Sequence, residues 1–126
     1  MLKRFLRRLA RESDGATAIE FALVGPVFLI MVVGGIYACM MMFSMGSLQD
    51  AVQQAARCWS VNTTVCTDAS STQTYAQNHY YGPAVSPSFT ATLASCGHSV
   101  TGTISYSFNM GQSTATVPLS ATACFP

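Results

Sequence analysis

Charge is scarce in this chain and unevenly placed. Of its 126 residues, 9% are charged. Beyond Glu20 the charged side chains reduce to Asp50, Arg57 and Asp68. The C-terminal half is polar through Ser, Thr, Asn and Gln instead. Such a half offers no basic face, which excludes nucleic-acid binding by the folded part. Histidine occurs twice, at His79 and His98, and its spacing to cysteine yields no two close ligand pairs. Neither a metal site nor a cofactor is expected from that pattern. No glycine-rich phosphate loop is present, and Asp50 and Asp68 stand as lone carboxylates. Cysteine–histidine catalysis would need a free thiol where disulfides are expected. The chain is therefore not expected to be an enzyme, and no residue is assigned a catalytic role.

The charge that exists marks one end. Lys3, Arg4, Arg7, Arg8 and Arg11 form a basic leader, and residues 16–48 then carry Glu20 alone. A membrane span needs about 20 apolar residues, and the run from Phe21 to Met45 supplies them. A cleaved secretory signal has an apolar core of only about 7–15 residues, so this run reads as a retained anchor. The basic cluster before it keeps the N-terminus in the cytoplasm. The expected topology is single-pass, with the C-terminal part on the far side of the membrane. Pro26 falls in the first third of the span, where it removes a backbone hydrogen bond and tends to kink a helix. Gly25, Gly34, Gly35 and Gly46 are small positions where another helix can approach. Met31, Met40, Met41, Met42 and Met45 read as adaptable apolar filler.

Helical periodicity continues beyond the apolar run. Leu48, Val52, Ala55, Ala56 and Trp59 fall at i, i+4, i+7, i+8 and i+11. One helix from Ala16 to Arg57 would be about 60 Å long, and its outer third carries an apolar stripe that needs a cover. The expected organisation is a leader over 1–15, a long helix over 16–58 with its membrane part at 21–45, and an exported domain over 59–126.

The most informative segment joins leader to helix: Ser13-Asp14-Gly15-Ala16-Thr17-Ala18-Ile19-Glu20-Phe21. Glu20 is a lone carboxylate at the entrance to an apolar helix. A charged side chain at the bilayer centre costs about 2.5–3.5 kcal/mol, and less near the edge. Cleavage after Gly15 would expose an α-amino group on Ala16, with an ordinary pKa of about 7.7–8.0. Glu20 of a neighbouring subunit would neutralise that amine as helices pack. Gly15 followed by Ala16-Thr17-Ala18-Ile19-Glu20-Phe21-Ala22-Leu23-Val24-Gly25-Pro26 resembles the start of a TadE-like protein. Members of that family are minor pseudopilins of the tight-adherence (Flp-type) pilus, relatives of type IV pilins. The resemblance implies cleavage by a prepilin peptidase between Gly15 and Ala16, and an assembly role for Glu20 and Phe21. It covers residues 1–50; beyond them only the general plan agrees, and the cysteine pattern does not carry over.

The remaining segment is read from its own residues. Asp68 or Ser70 caps a short helix running to Tyr80, with Gly82-Pro83 as its stop. Three alternating stretches follow: Phe89 to Leu93, Val100 to Phe108, and Ala115 to Ala123. Gly111-Gln112 fits a two-residue turn with glycine first. That register sets Phe108 beside Ala115, Tyr106 beside Val117 and Ile104 beside Leu119. A three-stranded antiparallel sheet results, with its apolar face over the outer part of the long helix and Pro118 on an edge strand. The fold class is α+β and pilin-like. Four cysteines follow the apolar run, and they allow three pairings. Cys58–Cys66 closes a short polar loop, and the register brings Cys124 near the turn holding Cys96. Cys58–Cys66 with Cys96–Cys124 is thus the preferred set, while an intervening strand between Cys96 and Cys124 stays open. Asn62-Thr63-Thr64 matches a glycosylation acceptor, which would be a coincidence in the bacterial pilus protein that the resemblance implies.

The leading functional expectation is a structural part of a Tad-type pilus or related secretion machinery. Its implied partners are the membrane, other pilin and pseudopilin subunits, the prepilin peptidase and the inner-membrane assembly platform. The alternative is an uncleaved single-pass anchor that presents an exported binding module.

Overall fold

The computed structural model of the chain describes residues 14–83, 86–109 and 111–126. The basic leader, Lys3 to Arg11, lies outside the described residues. Helix α1 runs over Asp14–Val61 and contains Pro26. A shorter helix, α2, spans Ala69–Asn78. Strands β1 (Ser88–Ala94), β2 (Gly97–Asn109) and β3 (Thr114–Phe125) form one antiparallel sheet in the order β1-β2-β3. Contacts divide the chain into two units, meeting between Tyr37 and Ala38.

In the second unit the sheet covers the apolar stripe of α1. Leu48, Ala51, Val52, Ala55 and Ala56 are buried there with Phe89, Ala91, Val100, Ile104 and Ala121. The three alanines keep that helix face low, so the sheet can close on it. Gly102 goes further: a Cβ there would stand 2.8 Å from Leu48 Cδ1 and 2.7 Å from Phe89 Cε1. Burying a side chain such as Leu48 stabilises by about 1.5–3 kcal/mol. Trp59 extends the stripe, half-buried, with its ring centroid 4.5 Å from that of His98. Two hydrogen bonds fasten neighbouring segments to α1. The Tyr81 amide donates to Ser47 Oγ at 2.8 Å, and Ser60 Oγ donates to the Phe125 carbonyl at 3.1 Å.

The ladder pairs Ile104 with Leu119, Tyr106 with Val117 and Phe108 with Ala115. Gly111 has φ +82°, the backbone region that a glycine-first turn requires. Met110 beside it lies outside the described residues. Pro118, opposite Ser105, sits on the outer strand β3, where a missing N–H leaves no ladder bond broken.

α2 begins with a capping box. The Ser71 amide donates to Asp68 Oδ1 at 2.7 Å, and the Asp68 amide donates to Ser71 Oγ at 3.0 Å. These bonds hold the exposed Asp68 carboxyl below the usual carboxylate range. The helix stops at Asn78, short of the Tyr80 end that Gly82-Pro83 suggested. The His79 amide reaches both the Tyr75 and Ala76 carbonyls at 3.2 Å, tightening the last turn. The His79 ring stacks on Tyr75, centroids 4.0 Å apart. The chain then turns so that the Tyr80 ring lies over Gly82, where a Cβ would clash with its hydroxyl. Burial pushes the Tyr80 hydroxyl up, with the Ser44 hydroxyl opposing that shift.

Two disulfides close the second unit. Cys58 bonds Cys66 across the turn after α1, and Cys96 bonds Cys124 across the far end of the sheet. The second follows from the register: Cys124 pairs with Ser99, and Cys96 lies in the β1–β2 turn just before β2.

Candidate functional site

The candidate site is the part of α1 that the sheet leaves bare. From Ala16 to Phe43 the side chains are exposed, apart from half-exposed Gly25 and Met41. Phe21 is 79% exposed, Ile30 73% and Met31 72%. An apolar surface this long and continuous does not persist in water. It spans about 40 Å at the helical rise, more than the roughly 30 Å of a bilayer's hydrocarbon core. Among the described residues, one helix is long and apolar enough to cross a membrane, and it is this one.

Gly15 and Ala16 stand in the first turn of α1. Amides in a first turn have no intrahelical acceptor, and glycine is a poor helix former, so this turn opens at small cost. Glu20 lies one turn further on, exposed, and among the described residues it has no ion-pair or hydrogen-bond partner. Phe21 is beside it, and its ring reaches over the next turn: a Cβ on Gly25 would touch Phe21 Cε1 at 3.8 Å. Pro26 follows inside the helix, and it leaves the Ala22 carbonyl without its usual amide donor. The free cysteine, Cys39, is exposed on the same helix.

Residues 15–57 match the family model of TadE-like proteins. Over its long helix the chain is similar to TadE-like proteins of the Tad pilus system. The match begins at Gly15, runs through Glu20, Phe21 and Pro26, and stops one residue before Cys58. Both disulfides and the sheet lie beyond it. Within the TadE-like region fall both the bare length of α1 and the stripe that carries the sheet. The family implies a Tad pilus-associated component with a single apolar anchor. No curated protein and no solved structure matches the chain.

Some residues that shape the TadE-like helix carried no clear signal in the sequence. Ser44 is fully buried, its hydroxyl donating to the Met40 carbonyl at 2.8 Å. A serine that bonds its own helix behaves as a small apolar residue toward its neighbours. Gly102 did carry a signal: glycine within a strand marks a close approach of another element. The identity of that element, the Leu48 side chain, needed the fold.

Proposed function

We propose that this protein is a minor pseudopilin, a structural and assembly component of a Tad-type pilus or related secretion machinery. Its leader, residues 1–15, lies in the cytoplasm, and residues 21–45 cross the inner membrane. Residues 59–126 form the exported domain, carried by the outer part of a helix over 16–58. A prepilin peptidase cuts between Gly15 and Ala16. Its other partners are pilin and pseudopilin subunits and the inner-membrane assembly platform.

One observation carries this reading: Glu20 is an exposed carboxylate, without a partner among the described residues, one turn into an exposed apolar helix. In a lipid-facing position such a group is costly. A new amine on Ala16 of an adjacent subunit supplies its counter-charge, reinforced by the positive end of that subunit's helix. Removing the leader also strips five cations from the helix entrance, so the charge balance there depends on the cut. The easily opened first turn at Gly15 gives a peptidase access to the bond.

The test compares Glu20→Ala and Glu20→Gln with wild type. Both variants insert and keep their topology, because removing a charge favours the membrane. Both lose co-purification with pilin subunits. Variants that co-purify like wild type overturn this role for Glu20.

A further inference from the structure

The outer part of α1 has a polar face that the sheet does not cover. Asp50, Gln53, Gln54 and Arg57 follow each other at i, i+3, i+4 and i+7, so they share one side of the helix. Together with Cys124 and Phe125 they line an open groove. Asp50 and Arg57 are both exposed. Gln54 Nε2 donates to Asp50 Oδ2 at 2.6 Å, fixing one carboxylate oxygen and leaving the other free. Arg57, the one cation among the described residues, has no ion-pair or hydrogen-bond partner among them. Seven residues of helix separate Asp50 from Arg57 by about 10 Å, so they do not pair within one chain. Asp68 is engaged by its own helix cap.

We infer that this face docks a second copy of the chain, parallel to the first and shifted by about 10 Å along the helix axis. Arg57 of one copy then meets Asp50 of the next. Copies inserted from the same side of a membrane are necessarily parallel, and here the inference rests on the assembly reading above. A parallel pair without the shift sets Asp50 against Asp50 and Arg57 against Arg57, which like-charge repulsion disfavours. The shifted contact leaves an unused Asp50 at one end and an unused Arg57 at the other. Both charges lie on the same face, so the contact joins two copies in one register and does not by itself extend further. The same side of the helix continues to Gly46 and Phe43. Phe43 is exposed, and a Cβ on Gly46 would meet nothing within 4 Å. An open glycine beside an exposed aromatic lets a neighbouring helix approach closely.

The shift is read by cysteine cross-linking in native membranes, with Cys39→Ser as background. Gly46→Cys and Gln53→Cys chains are expressed together. The mixed 46–53 cross-link is expected to exceed both like-with-like products by about tenfold, as a single register requires. Asp50→Arg or Arg57→Asp alone should reduce it by a similar factor, and the double swap in one chain should restore it. Predominant 46–46 or 53–53 products, absence of any cross-link, or indifference to the charge reversals each overturns the inference. N-terminal processing and co-purification with pilins are scored in the same membranes. A processed, co-purifying protein without the 46–53 product overturns the shifted contact alone. An unprocessed protein that forms it overturns the pseudopilin reading alone.

Discussion

Leu48 of the long helix stands where a side chain on Gly102 of the central strand would be, 2.8 Å from the position of the absent Cβ. A Cβ there forces the buried Leu48 side chain and the Phe89 ring, 2.7 Å away on the other side, to shift within the core. Gly102→Ala is therefore expected to destabilise the sheet domain by about 1–3 kcal/mol. Gly46→Ala, whose Cβ meets nothing, should be neutral or slightly stabilising, because alanine is the better helix former. Urea unfolding in detergent, followed by the single tryptophan Trp59, measures both. The Leu48→Ala penalty should shrink in the Gly102→Ala background, since the two positions share one space.

The disulfides should differ in their contribution. Cys58–Cys66 closes a loop of separation 8, and Cys96–Cys124 one of separation 28. Each should contribute about 2–4 kcal/mol, and on chain-entropy grounds the longer loop exceeds the shorter by about 1 kcal/mol. Paired Cys→Ser variants, compared by melting temperature, should rank in that order. Equal losses would count against the entropic account.

The cap of α2 should respond to acid. Ser71 lowers the Asp68 pKa through its amide and its hydroxyl. The folded pKa thus lies below the unfolded one, so the cap's contribution is full above the unfolded value. It is lost as pH falls through the folded value. The protection of the Ser71 and Thr72 amides, measured against their intrinsic exchange rates at each pH, should fall over that acid range in wild type. Asp68→Asn keeps an acceptor but has no proton to take up, so its exchange should lack this acid step.

How far these features could be read in advance depends on how local their causes are. The β2–β3 register follows from alternation on both sides of a glycine turn, because a one-residue slip would expose Ile104 and Tyr106. With it come the opposition of Ser99 to Cys124 and the placement of Cys96 nearby. The buried stripe at Leu48, Val52, Ala55 and Ala56 is a matter of helical period. The end of α2 differs from the Gly82-Pro83 stop because it depends on an amide of His79 shared between two carbonyls and on Tyr75 under its ring. Gly82-Pro83, the apparent stop, instead accommodates Tyr80. The spacing of sheet from helix at Gly102, and the free face at Asp50 and Arg57, are properties of packing that no single segment encodes.

The Glu20 account is tested most directly by the mass of the mature chain. Protein extracted from wild-type membranes and measured intact should begin at Ala16, and its Gly15→Leu variant should retain Met1. A wild-type chain that keeps Met1 while co-purifying with pilin subunits would contradict the claim that Glu20 is matched by a newly freed amine.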